Sequence, residues 1–273
     1  MSSLELYDSA HQPAAFWKEF RDLARYRDLI FELIARNIKV RYKRSLLGVL
    51  WTMVNPLLMM TVLTIVFSGV FRFSMDSYAI YLLSGLIVWN FFSESTAEAM
   101  SEMIYSGNLF TRIYVPKTVF AISAVGNGLL NLLFSLVPLL LIMLVTGVQI
   151  KATALLIPLP ILFVTLIALG VGLTLSTVAM YFADILIIYR VLLTAWMYLT
   201  PIIYPLEILP ENLQRALQFN PLFYGVEIFR WLLYLDSAPP VSHMLRLASF
   251  GLVLFWFGWW IFTKRADEYP FRV

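Results

Sequence analysis

Glu94, Glu98 and Glu102 stand four residues apart, so on a helix they share one face. The plain reading of such a row is a solvated helix end. The sharper one is a set of gate acids that pairs with the basic residues Arg36 to Arg44 or with a partner protein. Other ingredients of bond chemistry are missing from the sequence. His11 and His243 are isolated, no paired histidines occur at metal spacing, and no H-E-x-x-H motif is present. There is no G-x-x-x-x-G-K-[ST] loop, so the chain cannot hold ATP in that way. No catalytic, cofactor-binding or metal-ligating residue is assigned, and the chain is expected not to be an enzyme.

The elements that must carry these residues are apolar. Six stretches read as membrane spans: Val49 to Val70, Tyr78 to Phe92, Thr118 to Val145, Ala154 to Phe182, Val191 to Ile203 and Leu245 to Phe262. A hydrocarbon core of about 30 Å asks for about 20 apolar helical residues. The second and fifth stretches are short and need polar or aromatic ends to reach the interfaces. The first, third, fourth and fifth contain no Asp, Glu, Lys, Arg or His. Ion-coupled carriers keep ionisable groups at membrane depth, so the energy for any movement is expected to come from outside the chain. A secondary carrier is disfavoured on the same ground.

Of the 273 residues 60% are hydrophobic, and the mean hydropathy is +0.79. Soluble domains have about 45–50% apolar residues, so one integral membrane domain is predicted. Cysteine is absent, which excludes disulfides and thiolate metal sites. The first 44 residues lack a short apolar run before a small-residue cleavage site, so no removable leader is expected. Basic residues orient the spans. With an even number of crossings, fifteen of the twenty Lys and Arg fall on one side, leaving Arg72, Lys151, Arg215, Arg230 and Arg246 on the other. By the positive-inside rule both termini are cytoplasmic.

Phe16 to Arg36 reads as an amphipathic interface helix, with Phe16, Phe20, Leu23, Ile30 and Ile34 on one side and Lys18, Arg21, Arg25 and Glu32 among those on the other. Arg27 falls on the apolar face, where it would snorkel to headgroups or meet a buried partner. Residues 1–44 are thus a cytoplasmic N-terminus and 45–273 the membrane domain. Within the latter, 205–240 forms an outer-side segment. Pro210 opens a short helix through Glu211 to Gln218, Asn220 and Pro221 break it, and Leu222 to Leu235 restarts one that dips into the outer leaflet and returns. The predicted fold is an all-α integral membrane protein: an interface helix, six transmembrane helices, and re-entrant helices between the fifth and sixth.

The run RYKRSLLGVLWTMVNP (Arg41 to Pro56) precedes the first span with Arg41, Tyr42, Lys43, Ser45, Leu47, Gly48, Trp51 and Pro56 in order. GNLFTRIYVPK (Gly107 to Lys117), TPIIYPLEILP (Thr200 to Pro210) and NPLFYGVEIFRWLLY (Asn220 to Tyr234) follow. Together these resemble the permease subunits of type-2 ABC exporters for bacterial surface polysaccharides, the Wzm/TagG group that exports O-antigen and teichoic acid, with capsule exporters as more distant relatives. The resemblance runs from the interface helix to the last span. It implies a homodimer in the bacterial cytoplasmic (inner) membrane, working with two copies of a separate ATPase that binds the ATP and Mg; this chain itself would hold no cofactor. It places the Leu47–Gly48 loop, with Arg41, Tyr42 and Trp51, at the cytoplasmic mouth where a lipid-linked glycan is taken up. Asn108, Leu109, Phe110 and Arg112 would form the coupling helix on the ATPase. Asp184 is the candidate for a further contact with the ATPase; Phe182 and Ala183 precede it where the family often has an F-R-D pattern, a departure from the family's second docking contact.

The aromatic content, 16%, suits a passage for successive sugars, whose apolar faces stack on rings without tight binding of any one unit. Phe67, Phe71, Tyr81, Trp89, Phe92, Trp196, Tyr198 and Tyr204 are the candidates for such a path. For any single ring, packing or an interfacial belt competes with that role. The sequence reading is therefore the membrane subunit of an ATP-driven exporter of lipid-linked polysaccharide, in contact with membrane lipids and not with nucleic acid. A type-2 permease for a drug or small lipid, or a membrane-embedded transferase acting on lipid-linked sugars, stand as alternatives.

Overall fold

The computed structural model describes residues 19, 23–41, 43–45, 47–71, 75–105, 115–150, 152–182, 184–235 and 238–265, with the side chains of 68–71 and 75–77 excluded. Among them there is no strand. Nine α-helices follow in order: α1 Arg27–Arg41, α2 Trp51–Phe71, α3 Met75–Tyr105, α4 Thr118–Thr146, α5 Pro158–Ala179, α6 Ile185–Leu199, α7 Glu211–Leu217, α8 Pro221–Leu233 and α9 Val241–Lys264. Three short 3-10 turns, Gly48–Leu50, Ala152–Leu156 and Leu206–Ile208, introduce or link them.

Among the described residues four segments are long and apolar enough to cross a bilayer: Gly48–Phe67, Thr118–Thr146, Ala152–Ala179 and Val241–Lys264. The other two predicted spans differ from expectation. α3 runs 31 residues, well past Phe92, because its acids are met by polar side chains of neighbouring helices and do not end it. It is the central helix, packed against α2, α4, α5, α6 and α8, and nearly every side chain from Tyr78 to Phe92 is buried. α6 has 15 residues, or about 22 Å of rise, and unwinds at Thr200, whose backbone is extended.

α1 also departs from prediction. It continues to Arg41 and lays Leu33 against the bundle. Ile34 packs onto α4 at Gly126, where a Cβ would collide with it, so this part of the apolar face meets protein. Phe16 and Phe20 lie outside the described residues. Arg27 is exposed, with its Nε 3.5 Å from Asp28; neither a buried partner nor a place on the packed face is found.

α5 and α9 approach backbone to backbone. A side chain at Gly170 would run into the Leu254 carbonyl, and one at Gly258 into the Gly170 carbonyl. Small residues permit such close helix contacts, which replace the hydrophobic drive missing in lipid.

α7 and α8 fall where the Pro and Asn signals put them. Asn220 caps α8: its Oδ1 accepts from the Leu222 N–H at 3.1 Å, with Pro221 at the first helical position. The same Oδ1 accepts from Trp196 Nε1 at 3.1 Å and its Nδ2 donates to Thr200 Oγ1 at 2.9 Å, tying the end of α6 to the start of α8. α8 is almost wholly buried against α3, α5 and α9.

Candidate functional site

The link from α1 to α2 is made by backbone that few residues tolerate. Arg44 and Gly48 both have positive φ, 65° and 52°, the second natural for glycine. The Gly48 N–H donates to Ser45 Oγ at 3.1 Å. Trp51 then starts α2, and Pro56 falls inside it. Proline supplies no N–H, so the Thr52 carbonyl one turn earlier loses its helical partner. Ser135 Oγ of α4 donates its one proton chiefly to the Asn131 carbonyl at 2.8 Å and lies 3.4 Å from the Thr52 carbonyl, a weak shared contact. Freed backbone groups at membrane depth require such help from a neighbouring helix.

These choices leave a chamber of about 360 Å³ between α2, α3 and α4. α2 contributes Trp51, Thr52, Asn55 and Pro56; α3 contributes Ile87, Asn90, Phe91 and Glu94; α4 contributes Asn131, Leu132 and Ser135. Arg41 and Ser45 close the end nearest the α1–α2 link. Two rings and three amides, one from each helix, thus face a common volume. The amides of Asn55 and Asn90 make no side-chain hydrogen bond among the described residues, so they are available to hydroxyl groups.

The acidic row of α3 is matched along its length. Arg41 Nη2 donates to Glu98 Oε2 at 2.7 Å, and Asn127 Nδ2 donates to Glu98 Oε1 at 3.2 Å. Asn37 Nδ2 donates to Glu102 Oε1 at 3.2 Å. Glu94 accepts from Asn131 Nδ2 at 3.4 Å. The row therefore joins α1 to α4 across α3, and Glu94 is the member that lines the chamber. The Arg41–Glu98 pair is half-buried, with side-chain exposures of 39% and 16%.

The structure brings Arg41, Trp51 and Glu94 to this chamber, with Leu47 exposed and Gly48 in the adjoining link. Tyr42 lies outside the described residues, as do Asn108, Leu109, Phe110 and Arg112. Asp184 is exposed at the start of α6. The seven aromatic candidates whose side chains are described are not gathered into one lining. Trp89, Phe92 and Trp196 pack on one another with ring centroids 5.2–6.2 Å apart, and Trp89 and Phe92 are buried in the core. Tyr81 donates through its hydroxyl to the Tyr204 and Pro201 carbonyls at 2.7 and 3.2 Å, and Tyr204 donates to the Tyr198 carbonyl at 2.8 Å. The Tyr198 ring is exposed and Phe67 is half-buried against the core; the Phe71 side chain is outside the described residues. Within the single chain Trp89, Phe92 and Trp196 serve packing, and Tyr81 and Tyr204 cap carbonyls.

Sequence reasoning passed over Asn55, Asn90 and Asn131. Their signal was an amide inside an apolar run, costly in hydrocarbon and hence functional by default, but attention to formal charge alone hides it.

Residues 28–234 match the model of the ABC-2 type transporter family. The chain is similar to the O-antigen export system permease protein RfbA of Myxococcus xanthus, 30% identical over 251 residues that cover 91% of this chain and 96% of that protein. It is also similar to the polysialic acid transport protein KpsM of Escherichia coli, 26% identical over 86% of this chain and 92% of the relative. The capsule polysaccharide export inner-membrane protein CtrC of Neisseria meningitidis serogroup A is 24% identical over 84% and 88%. A family match over most of the chain, with relatives aligned nearly end to end, identifies the chain as a member of the ABC-2 type transporter family.

Proposed function

We propose that this chain is the membrane subunit of an ATP-driven exporter that carries a lipid-linked polysaccharide across the bacterial cytoplasmic membrane. Two copies pair about a two-fold axis, since one small bundle leaves little room for a wide channel, and two ATPase subunits bind the ATP and Mg. α3 and α6 complete six crossings with the four long apolar segments, 205–240 lies on the outer side as a re-entrant segment, and both termini are cytoplasmic by the placement of basic residues. Residues 1–44 form the cytoplasmic N-terminus and 45–273 the permease domain. Asn108, Leu109, Phe110 and Arg112, with Asp184, meet the ATPase.

The observation that carries the cargo is the chamber next to the Leu47–Gly48 loop. Trp51 and Phe91 offer apolar faces and Asn55, Asn90 and Asn131 offer paired donors and acceptors, which is the chemistry a chain of sugars presents. Relatives named for O-antigen, polysialic acid and capsule export support the same class. The chamber takes up the glycan near the inner leaflet. Glu94, Glu98 with its Arg41 partner, and Glu102 act as gate acids beside it, opening as the ATPase pushes the coupling segment.

The test is co-expression with the neighbouring ATPase in cells that assemble the glycan. Asn90→Leu combined with Asn55→Leu should lower surface polysaccharide at least tenfold while the complex still assembles, and Phe110→Ala or Arg112→Ala should lower cargo-stimulated ATP hydrolysis. Uphill movement of cargo by the isolated chain under a proton or sodium gradient, with no nucleotide, would overturn the proposal.

A further inference from the structure

A second chamber, of about 510 Å³, opens between the start of α3, the 200–209 connection and α8. Its volume is in the range of small-ligand sites, about 300–1,000 Å³. Its floor is Arg230, only 6% exposed. Arg230 Nη1 donates to the Pro201 carbonyl at 2.9 Å, and Nη2 donates to the Tyr81 and Ile202 carbonyls, each at 3.0 Å. The guanidinium also lies 3.5 Å above the centre of the Tyr81 ring. Both Nη atoms of this cation are committed to backbone oxygens and its plane to one ring, while its buried Nε has no hydrogen-bond partner in the structure.

What is presented is different in kind. Glu227, Trp231 and Tyr234 follow at i, i+4 and i+7 along α8 and its cap, so they share a face. Trp231 and Tyr234 are half-buried, with Phe223 packed beside them, and Glu207 stands across from Glu227 on the turn after Pro205. Glu227 Oε2 is buried 3.6 Å from His243 Nδ1 of α9, neither atom having a hydrogen-bond partner in the structure. Ring faces of Trp and Tyr stack on the C–H face of a pyranose, and carboxylates accept charge-assisted bonds from its hydroxyls. Two carboxylates against a cation already occupied repel a carboxylate or phosphate on the ligand.

We propose that this outer chamber is a second sugar-binding site, selective for an uncharged pyranose over an acidic one. It rests on the export reading only for the origin of the sugar. Binding is tested on the full-length chain in nanodiscs by saturation-transfer NMR with methyl β-D-glucopyranoside and methyl β-D-glucuronide, which differ only in the C6 group. The glucoside should give a signal at least three times that of the glucuronide. Trp231→Leu should reduce the glucoside signal at least threefold, and Glu207→Gln, an exposed change that leaves the core alone, should raise the glucuronide signal at least twofold. Equal signals from the two sugars in the unchanged protein, or a glucuronide signal unmoved by Glu207→Gln, would overturn the proposal even if polysaccharide export is established. If another cargo were exported and the glucoside still bound with this selectivity, the chamber would stand and the export reading would fall.

Discussion

The two chambers sit in regions that handle charge in opposite ways. Around the first, Arg41 meets Glu98 across a half-buried gap, and the amides of Asn37, Asn127 and Asn131 share out the rest of the acidic row. The Arg41–Glu98 contact joins separate helices through side chains that water partly reaches, so it can be exchanged at small cost. Around the second, Arg230 is sealed in and fastens three backbone carbonyls where the chain has left helical geometry after Leu199. A buried cation with that many bonds is costly to disturb because the carbonyls cannot turn to water. The contrast teaches that one end is built to rearrange and the other to hold its shape.

The contrast predicts an order of stability losses, read by equilibrium unfolding in mixed detergent. Arg230→Met should cost most, about 3 kcal/mol or more, since three buried acceptors lose their donor together. Asn220→Ala should cost about 2 kcal/mol through loss of the α8 cap and of the bonds to Trp196 and Thr200. Gly85→Ala puts a methyl 2.7 Å from Arg230 Nη2 and should cost about 1–3 kcal/mol by overpacking, with Ala at an exposed helical site as the control. Arg41→Ala should cost about 1 kcal/mol or less, yet change glycan export more than Asn220→Ala does. Exchanging the pair, Arg41→Glu with Glu98→Arg, sharpens this last point. Recovery of export in the double variant marks a charge contact, and a double-mutant coupling above about 3 kcal/mol would place this pair with Arg230 and erase the difference between the two ends.

Much of the scaffold was readable because lipid imposes it. α4, α5 and α9 coincide with long apolar runs, as backbone at depth must be helical, and α8 begins where Asn220 and Pro221 announce a cap. What was hidden depends on neighbours. The length of α3 follows from Arg41 and Asn127 answering Glu98, so acids that look like the end of a span continue the helix. α1 turns its Leu33 and Ile34 to α4 because Gly126 leaves a gap, which periodicity alone cannot distinguish from a face turned to lipid. The rings of Trp89, Phe92 and Trp196 were expected in a path and are found packed together, since ring-on-ring contact depends on how α3 and α6 meet. Asn55, Asn90 and Asn131 are far apart in the chain and acquire meaning only when α2, α3 and α4 meet.

The bare contact at Gly170 and Gly258 has a mechanical consequence. With carbonyl against α-carbon and no side chain between them, α5 and α9 have no cushion that could compress or slide into a new rotamer. α9 alone extends over 24 residues, about 36 Å of rise. A tilt imposed at Lys264 must therefore arrive at Val241 as displacement instead of being absorbed on the way, so this helix couple behaves as a stiff strut linking the two membrane faces.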